Sequence, residues 1–118
     1  MKVYALADLH LSFREKFAVN NLDKIKTAKP MDKFGDNWIK HYLKIWWNWS
    51  TTVKDEDIVL VPGDISWALR LEEALWDLDF IEKLPGRKIL GKGNHDYWWK
   101  KKKKISEVIS DKIDILQN

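Results

Sequence analysis

The sequence predicts an α/β domain with a largely parallel sheet and flanking helices. Short apolar runs that end at turn or polar residues alternate with stretches whose apolar residues recur at helical spacing. The predicted order is β-loop-α-β-α-β-α-β, an alternation typical of parallel sheets. The later strands follow one another at steps near the ~30 residues of a βαβ unit. At 118 residues, the chain is expected to form one domain over 1–118.

The first strand and the segment after it differ sharply in character. Residues 3–7 are a short apolar run that ends at Asp8, which predicts a buried strand. Residues 11–36 are polar and aperiodic, and Pro30 and Gly35 interrupt them. We therefore expect a long loop between the first strand and the first helix, and loops of this length are usually functional or mobile.

The first helix is predicted over residues 37–50, with Asp36 as its N-cap. Its apolar stripe is unusually aromatic, and the chain as a whole contains eight Trp. The stripe residues at spacings of four, four and three are Trp38, Tyr42, Trp46 and Trp49.

The rest of the chain continues the alternation of strands and helices. Pro-Gly pairs at 62–63 and 85–86 end the second strand and the second helix. The predicted elements are a strand at 58–61, a helix at 69–84, a strand at 88–90, a helix using Trp98, Ile105, Val108 and Ile109, and a strand at 113–116.

Charge and composition exclude several classes of function. Lys and Arg number 21 and Asp and Glu 18, a mild basic bias that does not by itself imply nucleic acid as a partner. The absence of Cys excludes disulfides and thiolate metal sites. The apolar stretch after Lys2 is too short for a signal peptide, and no run approaches the ~20 residues of a membrane span. We expect a soluble cytoplasmic protein without a membrane partner.

Side chains capable of metal ligation or acid–base chemistry follow each of the first three predicted strands. In a parallel sheet the carboxyl ends of the strands share one edge, and open α/β sheets bind ligands there. We therefore expect these side chains to converge. They belong to Asp8, His10, Asp64, Asn94, His95 and Asp96.

The spacing of the first three residues suits metal ligation. Asp8 and His10 lie two residues apart, so on extended backbone both side chains would face the same way and offer one oxygen and one nitrogen ligand. Asp64 follows Gly63, which permits close approach of backbone and ion. A lone carboxylate at that position could bridge two cations.

The third segment adds a different set of groups. Asn94 offers a neutral carbonyl oxygen, and His95 can point at a substrate with Asp96 placed to orient its ring. Mixed oxygen and nitrogen ligation suits Mn²⁺, Fe, Zn²⁺ or Mg²⁺ without choosing among them. Two such ions ~3.5–4 Å apart would stabilise both the attacking and the leaving oxygen of a phosphoryl displacement.

Three motifs in this order resemble a known superfamily. Asp-Leu-His, Gly-Asp-Ile-Ser and Gly-Asn-His-Asp are similar to the first three motifs of the calcineurin-like metallophosphoesterases. The wider Gly-Asp-Ile-Ser-Trp-Ala and Gly-Asn-His-Asp-Tyr-Trp-Trp resemble a bacterial branch of predicted phosphohydrolases. The resemblance implies a two-sheet sandwich flanked by helices, and hydrolysis of a phosphoester substrate by a metal-bound hydroxide.

The resemblance also implies a role for each residue, around two divalent ions that could be Mn, Fe, Zn or Mg. Asp8 and His10 would hold the first ion, Asp64 would bridge both ions, Asn94 would bind the second ion and substrate phosphate, His95 would be catalytic and substrate-binding, and Asp96 would be its catalytic support.

One departure from the superfamily pattern concerns the remaining ligands. The pattern continues with Gly-His and then Gly-His-x-His, whereas the histidines of this chain are His10, His41 and His95. Residues 1–118 therefore match the N-terminal half of such an enzyme, a partial metallophosphoesterase domain. We expect weak or no activity from this part alone, and either self-association or pairing with a complementary C-terminal half.

Alternative hypotheses remain for the roles of several other polar and aromatic residues. The run Lys100–Lys104 and the Trp residues could form a non-catalytic polyanion-binding module, although a solvated helix face is the commoner outcome for such a run. His41 is expected on the helix surface, with the mouth of the site as its alternative. The Trp residues of the first helix, Trp38, Trp46, Trp47 and Trp49, are expected in the core, with a base-stacking platform as the alternative.

Overall fold

Four parallel strands form one sheet in a computed structural model that describes residues 1–21, 24–28, 31, 35, 38, 40–100 and 102–116. Neighbouring strands in the sheet are also consecutive in the chain, and each pair is parallel. This confirms the predicted α/β class, the parallel sheet and the order of the strands along the chain. The strands are β1 Val3–Ala5, β2 Ile58–Val61, β3 Arg87–Leu90 and β4 Ile113–Ile115.

The described residues cover one face of this sheet and leave the other open, as the strand register and the burial of the side chains show. Residues paired across the strands form rows, and side chains of successive rows point to opposite faces. The covered rows are Tyr4, Val59, Lys88 and Ile113, then Val61, Leu90 and Ile115. The open rows are Val3, Ile58 and Arg87, then Ala5, Leu60, Ile89 and Asp114.

The helices are shorter than the sequence pattern predicts. Helix α1 begins at His41, four residues later than expected, and its N-cap is Lys40 in a left-handed conformation with φ 47°. Asp36, the expected cap, lies outside the described residues. Trp98 lies ahead of the third helix, and its buried indole N–H donates to Asp96. The helices are α1 His41–Thr52, α2 Leu71–Lys83 and α3 Lys102–Ser106, and a short 3-10 helix spans Val19–Asn21.

The segment expected to be a polar loop contributes to the core. Five of its described apolar side chains are buried: Leu11, Phe13, Phe17, Ile25 and Met31. Phe13 and Phe17 each pack 5.0 Å from the ring of Phe80 in α2. The described residues of 11–36 form a long loop, as predicted, apart from the short 3-10 helix at Val19–Asn21. Its contribution to the core was not predicted, because isolated apolar residues without a period carry no sequence signal for burial.

A buried lysine completes the C-terminal end of α2. The ammonium of Lys88, in β3, donates to the carbonyls of Glu82, Leu84 and Gly86 at 3.3, 2.6 and 2.9 Å. These carbonyls lack partners within the helix, and a cation also complements the negative end of the helix dipole. Burial lowers the pKa of Lys88 to about 8.

None of the helices in the described part of the chain has the length and apolar character needed to cross a membrane.

Candidate metal centre

The loops after β1 and β2 run side by side, because the parallel hydrogen-bond pattern continues past the strand ends. The N–H groups of Asp8 and His10 donate to the carbonyls of Gly63 and Asp64, both at 3.0 Å. The N–H of Leu11 donates to the Ile65 carbonyl at 2.9 Å. The main chain thereby brings the first and second sequence motifs together at one edge of the sheet.

Three side chains converge there as the sequence predicts. Asp8, His10 and Asp64 each offer a ligand atom, and these atoms all lie within 4.8 Å of one another. The expected reason was wrong in one respect: Asp8 and His10 are not on extended backbone but in the left-handed region, with φ 60° and 46°. Asp64 is left-handed as well, with φ 51°. The curled loop, rather than strand alternation, aims the two side chains at Asp64.

His95 lies directly against this group. Its backbone N–H donates to Asp64 Oδ1 at 2.9 Å, and its ring Nδ1 lies 3.3 Å from Asp64 Oδ2. The N–H hydrogen bond is the main cause of a lowered pKa at Asp64, so the carboxylate is held ionised. The rings of His95 and His10 are 6.3 Å apart. Asp64 is therefore the point at which the second and third motifs meet.

Two glycines permit this close approach of the loops. A Cβ atom at Gly63 would lie 2.6 Å from the Cα atom of Gly93. Gly63 also has φ +154°, a conformation that side-chain-bearing residues rarely adopt. Any side chain at either position would force the loops after β2 and β3 apart.

The Asp96 side chain links the loops after β2 and β3 through hydrogen bonds. The side chain is buried, and its Oδ1 accepts from the N–H groups of Ile65 and Ser66 and from the Trp98 indole at 2.8, 3.2 and 3.0 Å. Its Oδ2 accepts from the Gly93 N–H at 2.7 Å. The sequence led us to expect Asp96 beside the ring of His95; in this structure the carboxylate that contacts that ring is Asp64.

Asn94 lies in the exposed turn between Gly93 and His95. Its position beside His95 brings it to the same edge of the sheet as the three-residue group. Its assignment to a second ion and to substrate phosphate stays a prediction.

Two indoles border the candidate ligand His10, and sequence reasoning had assigned neither to the site. Trp67 stacks on the His10 ring with centroids 5.0 Å apart and 24° between planes, and it lies 5.3 Å from the His95 ring. Trp38 meets His10 edge-on at 6.2 Å. The one available signal was the position of Trp67, three residues after Asp64 and so on the same loop.

His41 is not on the helix surface, contrary to expectation. It is buried, and its Nε2 lies 2.7 Å from the carbonyl oxygen of Leu9. Because α1 begins at this residue, the ring reaches under the loop that carries Asp8 and His10. Desolvation is the main cause of a lowered pKa at His41.

The remaining aromatic residues of α1 divide between core and surface. Trp49 is buried and its indole N–H donates to the Pro85 carbonyl at 2.9 Å, while Trp46 packs 4.4 Å from Phe17. The expectation of core positions holds for these two residues. Trp47, in contrast, is 61% exposed.

The basic run lies mostly on the surface where it is described. Lys100, Lys103 and Lys104 are exposed, as expected for a solvated face. Lys101 lies outside the described residues.

Residues 1–117 match the family model described as calcineurin-like phosphoesterase. The chain is similar to the crystal structure of the protein of unknown function AQ665 from Aquifex aeolicus, with a TM-score of 0.51 and 27% identity over 96% of the chain. The chain spans 50% of that protein's length. No curated protein matches the sequence.

Proposed function

Because the chain belongs to the calcineurin-like phosphoesterase family, we propose that it carries part of the active site of a metal-dependent phosphoester hydrolase. The observation that carries this proposal is the group formed by Asp8, His10 and Asp64, whose ligand atoms lie within 4.8 Å of one another. The group lies at the carboxyl edge of a parallel sheet, where α/β folds place their ligands.

The donor set fits a divalent cation. Two carboxylates and one imidazole suit Mn²⁺, Fe, Zn²⁺ or Mg²⁺. In the proposed two-ion site, Asp8 and His10 would hold one ion, Asp64 would be a ligand of both, and Asn94 would contribute to the second. Bound ions would polarise a phosphoryl oxygen and lower the pKa of water.

His95 is the proposed catalytic residue of this part. Its Nδ1 faces Asp64, which leaves Nε2 as the ring nitrogen for the substrate phosphate or for the proton that the leaving oxygen takes up. The contact with the Asp64 carboxylate also orients the His95 ring. The exposure of the His95 side chain, 46%, leaves room for a substrate.

We further propose that the complete site needs more protein than this chain, either a complementary C-terminal half or a second copy. Two observations support this: the chain spans half of a similar structure, and one face of the sheet is open. Cytoplasmic location stays a prediction.

Hydrolysis of para-nitrophenyl phosphate and of its bis ester, with Mn²⁺ and with chelator, tests the proposal in a protein that contains this chain and the remaining half. We expect activity that requires the ion, and His95→Ala to lower turnover by about 10²–10⁴-fold while metal affinity is kept. The control is Glu107→Gln, an exposed residue in the turn after α3. Hydrolysis that is indifferent to chelator, or metal lost with His95→Ala, would contradict these assignments.

Polyanion binding without catalysis is the alternative function, supported by the exposed Lys100, Lys103 and Lys104. It requires affinity for nucleic acid that falls steeply with salt, because each phosphate contact releases counterions. Weak affinity for nucleic acid that does not change with salt concentration would exclude this alternative.

A further inference from the structure

A buried histidine supports the loop that carries two of the candidate metal ligands. Leu9 lies between Asp8 and His10, and its carbonyl oxygen is 2.7 Å from Nε2 of His41. Both Leu9 and the His41 side chain are buried. This contact joins the first residue of α1 to the centre of the ligand loop.

The chemistry of the contact assigns the direction of the hydrogen bond. A carbonyl oxygen can only accept, so Nε2 of His41 must carry the proton and donate. The proton-bearing Nε2 therefore has no lone pair to offer a metal ion. Through this nitrogen, His41 acts on the loop and not on an ion.

The loop has reason to need such support. Asp8 and His10 both adopt left-handed backbone conformations, which are unfavourable for residues with side chains. Their own N–H groups are tied on one side to Gly63 and Asp64. The carbonyl of the intervening Leu9 is tied on the other side to His41. Trp38 packs 5.5 Å from the His41 ring and 6.2 Å from the His10 ring, and so lies against both.

We propose that His41 is a positioning residue for the metal site: its Nε2–H, through the Leu9 carbonyl, holds the loop in the curled form that aims Asp8 and His10 at Asp64. The expected effect of His41 on metal affinity rests on the proposed metal-dependent function. This positioning role adds a residue outside the three motifs, and it gives α1 a part in assembling the site.

Two substitutions separate hydrogen-bond donation from space filling. His41→Gln keeps an N–H donor at similar reach, whereas His41→Leu keeps much of the apolar bulk and removes the donor. Loss of a side chain that supports a ligand typically costs 10–100-fold in metal affinity. We therefore expect Mn²⁺ affinity, measured by titration calorimetry, to fall by roughly 10–100-fold in His41→Leu and by less than about threefold in His41→Gln.

Stability must be controlled, because both substitutions are in the core. Phe17→Leu, a core substitution remote from the ligand loop, serves as the matched control, with urea unfolding measured for every variant. It should lower stability and leave Mn²⁺ affinity unchanged. Equal affinity in wild type and His41→Leu, or equal loss in the Gln and Leu variants, would overturn the inference.

A second measurement reads the tautomer of the His41 ring directly. Long-range ¹H–¹⁵N spectra of the wild-type chain should show His41 in the Nε2–H tautomer, both before and after addition of Zn²⁺. The Nδ1–H tautomer, or coordination of the His41 ring by Zn²⁺, would overturn the inference. Failure of wild type to bind any ion contradicts the proposed function instead. In that case the backbone amide chemical shifts of Asp8 and His10 test the positioning role of His41. Relative to wild type, these shifts should change in His41→Leu and stay the same in His41→Gln.

Discussion

Three residues of the candidate site, Asp8, His10 and Asp64, adopt left-handed backbone conformations. Among the described residues other than glycine, left-handed φ values occur at Asp8, His10 and Asp64, and at Lys40 just before His41. Each such residue costs about 1–3 kcal/mol and persists only where its surroundings over-determine it. Here the surroundings are the loop-to-loop hydrogen bonds, the paired glycines and the buried Asp96 carboxylate. The cost is concentrated on the residues that the proposed chemistry needs.

Asp64 is expected to matter more for metal binding than Asp8. It belongs to the candidate ligand group and also holds both the N–H and the ring of His95. In a form that binds two ions, Asp64→Asn should weaken Mn²⁺ binding more than Asp8→Asn, as measured by titration calorimetry. Asp111→Asn, an exposed carboxylate away from the site, is the control. Small and equal effects would refute the bridging assignment of Asp64.

Asp96→Asn should damage both stability and metal binding. The carboxylate accepts four hydrogen bonds, and an amide would replace one acceptor oxygen by an N–H₂ group that faces donors. Leaving a buried donor unpaired costs about 1–3 kcal/mol, so urea unfolding should show a loss of at least that size. Mn²⁺ affinity should fall with it, because the loops that carry Asp64 and His95 separate. A variant with normal affinity and stability would show that Asp96 does not clamp these loops.

Secondary-structure elements are tied together by buried polar side chains as well as by apolar packing. Asp77, in α2, accepts from the Phe13 N–H at 2.8 Å and from the Ser66 hydroxyl at 2.5 Å. One helical side chain therefore binds the segment after β1 and the segment after β2. Lys88 ties β3 to the end of α2 in the same way. These contacts explain why the helix lies where it supports the candidate site.

Asp77 predicts an unusual dependence of stability on pH. Burial raises its pKa to about 7 from an ordinary value of 3.8. The folded protein therefore keeps a proton that the unfolded chain releases between these values, and the free energy of unfolding should fall as pH rises from about 4 to 7. The charged residues Arg14, Glu72 and Glu73 line, together with Asp77, a cavity of about 510 Å³.

Comparison of the wild type with Asp77→Asn isolates the contribution of Asp77 to the pH dependence of stability. Asp77→Asn keeps the shape of the side chain and an oxygen acceptor for Phe13 and cannot titrate. Urea unfolding of wild type and variant between pH 4 and 8 should give a difference that changes across that window and levels off above pH 7. A difference that is independent of pH would show that Asp77 is ionised throughout.

In the part of the chain that the structure describes, the sheet has an open and largely apolar face and two unpaired edge strands. Val3 is 58% exposed and Leu60 is 36% exposed on the open rows, and Leu116 just after β4 is 64% exposed. Strands β1 and β4 lie at the two edges of the sheet. Exposed apolar surface and unpaired edges of this kind favour association.

The 118-residue chain alone should therefore associate and should have little or no phosphoesterase activity. Light scattering after size exclusion should report more than a monomer, and Leu60→Lys should shift the chain toward monomer because it places a charge on the open face. The control is Trp47→Lys, which changes an exposed apolar residue on α1 instead. A clean monomer with turnover of roughly 1–10³ s⁻¹ would contradict both expectations.

The sequence by itself determined the strands, their parallel order and the candidate ligands, because each is a local pattern. An apolar run of four residues with a polar ending is readable without knowing its neighbours, and parallel strands must bring their ends to one edge. Asp8, His10 and Asp64 could be predicted to converge on that basis alone.

Tertiary structure decided what depends on contacts between segments far apart in the chain. His41 reads as a surface residue within its own helix, and only the start of α1 at this residue places it under Leu9. The sequence suggests Asp96 as a partner of its neighbour His95, yet two of the four hydrogen bonds to its carboxylate come from the loop that follows β2. Phe13 and Phe17 lie in an aperiodic segment, and only packing against Phe80 buries them. In each case the deciding energy, a hydrogen bond or a buried ring, comes from a residue more than twenty positions away, where no local pattern can record it.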